Sequence, residues 1–347
     1  MSSTGTPAHA LAALAIALAQ GACDSDAGDA DAARVPDAAA IDDAPRSDAA
    51  PPSRERLSEV GLYADIDEKI LADGVIEFAP THALWSDGAV KTRWIALPAG
   101  TQIDTSDMNR WQFPVGTKFF KEFVRDDVRV ETRMIEKLGD GPMDYWMGAF
   151  IWELDESDAV FAVDGGADVN GTDHDVPDAE TCWTCHLGEP TRTLGFSAIQ
   201  LSRPVGDITL LSIAADGWLT DPPAAGVDYP VPGDAVVAAA LGYLHANCGH
   251  CHNPSGTSWP DTSMHLRLRV EDRAPEDTTI YTTTVDVPLD RWLVAPFTSR
   301  VVPGSSSLSA IVVRMSNRGT MDEMPPIATE LTDPTGLDAV TTWIDGL

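Results

Sequence analysis

Four of the five cysteines fall into two copies of one pattern, Cys182-Trp-Thr-Cys185-His186 and Cys248-Gly-His-Cys251-His252. Two thiols three positions apart reach the two vinyl groups of one haem and bond them as thioethers. The histidine after the second thiol then projects from the same turn beneath the iron. The chemistry expected of these residues is covalent attachment of two haems c, through Cys182 and Cys185 and through Cys248 and Cys251. His186 and His252 are the proximal iron ligands in this reading. A tetrahedral zinc site using both CxxC pairs and a pair of redox dithiols are the competing readings. Zinc does not need a histidine after both second cysteines, and a thioredoxin-like dithiol needs a βαβ context that neither motif has.

Such motifs need elements to hold them. The run Asp234–Asn247 is helical in pattern, with Val236, Val237, Ala240, Leu241 and Leu244 on one face and Asp234 in N-cap position, and it leads straight into Cys248. A second amphipathic helix is expected at Asp338–Leu347, presenting Val340, Trp343 and Ile344. Between them lies Met321-Asp-Glu-Met324-Pro-Pro326, where two prolines limit the freedom of the turn. Met324 is the expected distal ligand of the second iron, with Met321 in reserve, and a sulfur in that position raises the potential of an electron-transferring iron. The first motif lacks such a partner, because residues 187–244 contain neither Met nor His. Its candidates are His174, Met147, Met143 and Met134 upstream and His245, His250, Met264 and His265 downstream. Failing these, the iron is five-coordinate and open to small-molecule chemistry.

The remaining sequence reads as a succession of unlike segments. Residues 1–23 form a signal peptide, with a short apolar stretch and a possible lipoprotein cysteine at Cys23. Residues 24–55 are an Ala/Asp-rich spacer with too little apolar content to fold. Residues 56–177 form an all-β, sandwich-like N-terminal domain, opened by one amphipathic helix over 55–72. Its strands are expected at 94–97, 111–115, 117–125, 128–137, 145–154 and 159–164, divided by Asp/Gly/Pro/Ser clusters. Trp85, Trp94, Trp111, Trp146 and Trp152 are assigned to core or sheet packing. Residues 178–232 are a first haem-binding segment, and residues 233–347 an α-helical cytochrome c domain. The fold class expected is thus multidomain, a β sandwich followed by a helical cytochrome domain.

Charge narrows the partners. With 23 Lys+Arg against 54 Asp+Glu, the 347 residues carry a formal charge of −31. Nucleic acid is excluded as a partner because nothing neutralises phosphates, and basic attachment to anionic lipid is excluded likewise. Membrane contact is expected only through a lipid anchor at Cys23. No triad, phosphate loop or paired-carboxylate pattern rises above the abundance of acidic residues.

With these motifs in view, the chain from about Leu57 onward resembles a group of secreted bacterial di-haem cytochromes c. The marks are Leu57-Ser-Glu-Val-Gly-Leu62, Leu84-Trp-Ser-Asp-Gly-Ala-Val-Lys91, Phe113-Pro-Val-Gly-Thr117, Glu131-Thr-Arg133 and Thr181-Cys-Trp-Thr-Cys-His186. Further marks are Tyr243-Leu-His-Ala-Asn-Cys-Gly-His-Cys-His-Asn-Pro254, Val302-Pro-Gly304 and Met324-Pro-Pro326. The resemblance implies haem at Cys182/Cys185/His186 and at Cys248/Cys251/His252, with Met324 distal to the second. The function expected is single-electron transfer in the periplasm or at the cell surface, with a redox partner protein that carries a basic docking patch. The alternative is a peroxidase-like or small-molecule-oxidising enzyme whose open first haem is fed by the second.

Overall fold

Runs of aromatic and β-branched residues between residues 63 and 161 build the sheets of the protein in a computed structural model that describes residues 53–203 and 208–347. A short ladder pairs β1 (Tyr63–Asp65) with β2 (Ile70–Leu71). One six-stranded antiparallel sheet follows, made of β3 (Val75–Phe78), β4 (Val90–Ala96), β5 (Lys118–Arg125), β6 (Val128–Lys137), β7 (Tyr145–Trp152) and β8 (Ala159–Phe161) in sequence order. The β5–β6 turn shows why the meander closes where it does. Asp126 and Asp127 adopt φ of 50° and 63°, the left-handed pair that a two-residue hairpin demands and that Asp tolerates.

Alternate residues of a strand face opposite sides, so the sheet has two unlike faces. On the outer face Trp94, Phe120 and Met134 stand in register across β4, β5 and β6 and are roofed by Leu57, Val60, Leu62 and Tyr63. On the inner face Phe78, Ile95 and Phe119 gather Phe113 and Phe196 into edge-to-face pairs, with centroids 4.8 Å apart for Phe78–Phe196 and 4.9 Å for Phe113–Phe119.

The helices that cover this inner face are mostly short: α1 (Thr181–His186), α2 (Ala198–Leu201), α3 (Leu210–Ala215), α4 (Ala235–Asn247), α5 (Thr279–Thr284), α6 (Ala310–Ser316) and α7 (Pro334–Asp345). α4 begins where the Asp234 carboxylate accepts the N–H groups of Val236 and Val237, both at 3.0 Å. α7 begins likewise at Asp333, with Pro334 in its first turn. The two helices approach closely because Gly336 has no side chain: a Cβ there would lie 2.0 Å from the Tyr243 ring. Leu241, Leu244, Val340 and Trp343 then enter the same core as Ile95 and Phe119.

That shared core overturns the expected fold class. Among the described residues the other sheet is only the two-stranded β1–β2 ladder, so the strands do not form a sandwich of two comparable sheets; the outer face of the large sheet is closed by the chain around residues 57–63. An α-helical cytochrome c domain is not evident either. Only α4 and α7 exceed seven residues among the described helices, and most of the chain between α4 and α6 is irregular. The apolar stripes that read as the core of a separate helical domain pack α4 against α7 and run on into the core shared with the sheet. Residues 55–72 also depart from the expected helix. A single 3-10 turn at Leu57–Glu59 gives way to β1 and β2, since Gly61 (φ 81°) and Lys69 (φ 55°) take left-handed conformations that a helix excludes. Residues 111–115 contribute only the isolated Asp104–Gln112 bridge, and β3 occupies a stretch for which no strand was expected. Strands β5 to β8 and helices α4 and α7 lie where the sequence pattern puts them, within a few residues. The signal segment 1–23, Cys23 included, and spacer residues 24–52 lie outside the described residues. No helix of the described residues is long and apolar enough to cross a membrane.

Candidate cofactor site at the two CxxCH motifs

The second motif grows out of the end of α4. Cys248 is the residue that terminates the helix, its N–H reaching the Leu244 carbonyl at 3.0 Å. The loop that follows is held by Asn253, whose buried amide donates to the carbonyls of Gly249 (2.8 Å) and His250 (3.0 Å) while its oxygen accepts the Ser255 N–H at 2.8 Å. Asn247, one residue before the motif, accepts the Trp85 N–H at 2.7 Å and donates to Ala83. The 83–85 segment is thereby tied to the helix end.

Cys248, Cys251 and His252 open onto a cavity of about 600 Å³, within the range of cofactor pockets. Its wall is mainly apolar. Trp85, Tyr243, Leu266 and Ile311 line it, together with the Met324-Pro325-Pro326 turn and four arginines, Arg291, Arg300, Arg314 and Arg318. Met324 is held by its backbone, with its N–H on the Arg314 carbonyl at 2.9 Å and its carbonyl accepting from Arg318 at 3.2 Å. Met321, the reserve ligand, is 99% exposed and faces water. Two further sulfurs, Met264 and Met315, border the same cavity. Burial pushes the His252 imidazole down to about 4, which keeps it in the neutral form a metal requires, and its Nδ1 has no hydrogen-bond partner.

The first motif fills α1. The Asp178 carboxylate accepts the N–H of Thr181, the first residue of the helix, at 2.6 Å, and the Cys182 thiol lies 3.6 Å from the Asp178 carbonyl. His186 Nδ1 lies 2.6 Å from the Arg192 carbonyl, which orients the ring and leaves Nε2 as the atom that can take a metal. Burial again pushes this imidazole down to about 4. Thr184 and Cys185 of this motif line the same cavity that meets the second motif.

Tertiary structure brings the two motifs into contact. Ligand atoms of Cys185, His250 and Cys251 all lie within 4.8 Å of one another. The Cys185 thiol donates to the Cys251 sulfur, which raises the proton affinity of Cys185 and lowers that of Cys251. The approach depends on Gly188, two residues past His186, where a Cβ would sit 1.9 Å from the His250 carbonyl oxygen.

The candidates for the first iron separate by environment. His174 is buried, but its Nε2 is engaged with Glu131 at 2.8 Å. Met134 faces the outer side of the sheet, Met147 is buried on the inner side, and Met143 is exposed. His245 accepts the Leu268 N–H, Met264 lines the second cavity, and His265 sits edge-on to Trp259. His250 alone among them joins a cysteine cluster with an unpartnered, buried Nδ1.

Sequence reasoning missed Trp85 and Asn247 as residues of the site, assigning the first to core packing. Their signal was present in the Leu84–Lys91 and Asn247-Cys248 runs, but only the fold shows that these runs meet. Searches of protein-family models, of curated proteins and of solved structures find no match to this chain.

Proposed function

We propose that this chain is a di-haem c-type cytochrome that passes single electrons outside the cytoplasm. One observation carries the reading: two CxxCH motifs 66 residues apart in sequence converge, with Cys185 and Cys251 in one cluster of ligand atoms. Each haem, when bound, supplies a one-electron iron couple. The donor set supports the group. Four thiols stand in two correctly spaced pairs, two neutral imidazoles follow them, and an apolar cavity of about 600 Å³ meets Cys248, Cys251, His252 and Met324. His186 is oriented by Arg192, and Met324 is presented by a turn whose backbone is bonded to Arg314 and Arg318. Adjacent attachment points bring the two cofactor edges near each other and favour internal exchange. The formal charge of −31 suits a redox partner with a basic docking patch, by steering its approach.

The test is export through a haem-ligating pathway. The expected result is a coloured protein whose mass includes two macrocycles and which takes up two electrons per chain. A colourless product of unmodified mass overturns the proposal. A second reading has its own support in Cys185, His250 and Cys251, a soft ligand set that suits zinc. Stoichiometric zinc in the colourless product would establish it.

A further inference from the structure

The inner face of the sheet carries a row of cations that the haem-attachment residues do not explain. Arg93, Lys121 and Arg133 are direct neighbours across β4, β5 and β6, and Lys91 lies two residues from Arg93 on the same face. Arg133 is neutralised by Glu131, with its Nε and Nη2 at 2.8 and 2.5 Å from the two carboxylate oxygens, and the same carboxylate engages His174. That single carboxylate is spent there. Arg93 is only 8% exposed, and neither it nor Lys121 has a hydrogen-bond or ion-pair partner among the described residues. Lys121 Nζ and the Arg133 guanidinium stand over the Phe123 ring at 4.7 and 4.4 Å, which offers polarisation but no opposite charge.

Buried cations without counter-charge are costly, and a protein that keeps several in one row needs an anion to face them. We propose that the Arg93–Lys121–Arg133 row is an anion site beside the first CxxCH motif, receiving a carboxylate or small oxyanion. Two sources share this chemistry: the propionate carboxylates of a haem on Cys182 and Cys185, or a free anion. Only the first source rests on the di-haem reading. The row's location favours either, since Arg133 lies near enough to Cys182 and Cys185 to act on both thiols.

The experiment compares melting of the full, exported chain with that of Lys121→Met and Arg93→Gln, with and without inorganic phosphate. An occupied row predicts that each variant melts lower by about 3 °C or more. If phosphate raises the wild-type midpoint but not that of Lys121→Met, the anion is free. If phosphate has no effect and both variants still fall, the carboxylates are resident. The proposal is overturned if both variants melt at or above the wild type, because deleting an unneutralised buried charge relieves repulsion. Arg93→Gln keeps the test open should Lys121→Met not fold. The mass of the same samples reports haem attachment separately, so failure of the anion site and failure of the di-haem reading are distinguishable.

Discussion

The second CxxCH motif opens onto a walled cavity through Cys248, Cys251 and His252, whereas the first, identical in its spacing, meets that cavity at Thr184 and Cys185 and sets Cys182 and His186 beside a charged sheet face. Around Cys248 and His252 a mainly apolar wall with sulfur-bearing side chains and the Pro-bounded Met324 turn also carries four arginines. Around Cys182 and His186 the neighbours are Arg133, Lys121 and a buried Glu131–His174 pair. A haem held at either motif would have its potential tuned by the apolar, sulfur-bearing wall in the one case and by the sheet cations in the other. One motif grammar is set in two different surroundings, and under the proposed function that difference would give the two centres unequal potentials.

The comparison breaks most plainly if either pair of thiols is removed. On the di-haem proposal, Cys248→Ser with Cys251→Ser should delete one macrocycle from the mass and lower the melting midpoint more than Cys182→Ser with Cys185→Ser does. Equal losses of stability would show that the two sites are not differently built. Next in size is Glu131→Gln. Breaking one partner out of a buried pair costs about 3–5 kcal/mol, read by denaturant unfolding at neutral pH. Burial works against the Glu131 carboxylate, yet Arg133 and the hydrogen bond from His174 outweigh it and hold the group below its usual range. Its contribution is therefore complete above an unfolded value of about 4.3 and is lost as pH falls through the lower folded value. The gap between wild type and Glu131→Gln should close in that acidic window and nowhere above it.

Gly188→Ala comes third. Its new Cβ would meet the His250 carbonyl, so the two motifs must separate, at a cost of about 1–3 kcal/mol by urea unfolding. On the di-haem proposal, a weakened electronic coupling between the two centres, seen as slower internal equilibration after flash reduction, should accompany it. Met324→Ala should leave the second haem attached while its midpoint potential falls by on the order of 0.1 V, within the ~0.8 V that axial ligands span. An unchanged potential would move the assignment to Met315 or Met264, the other sulfurs at the cavity. Smallest is Asp234→Ala, which removes the cap of α4 and should cost about 1 kcal/mol without changing either spectrum.

Local chemistry was legible in the sequence itself. The CxxCH spacing, the Asp234 cap, the aromatic and β-branched runs of β5 to β8 and the turn residues at Asp126-Asp127 all act within a few positions of one another, and so they can be read along the chain. Architecture was not legible in this way. An apolar stripe such as Leu241, Leu244, Val340 and Trp343 states that a helix must be covered but not by what; the fold packs α4 and α7 on each other and joins both to the one core that includes the inner face of the sheet. The strand run likewise does not say whether a second sheet or a loop closes its outer face. Only the tertiary structure decided that Cys185 meets Cys251, that Trp85 borders the second motif, and that Arg93, Lys121 and Arg133 share one row. Those are contacts between residues tens to hundreds of positions apart, fixed by strand register and close approach at glycines, and no short-range pattern encodes them.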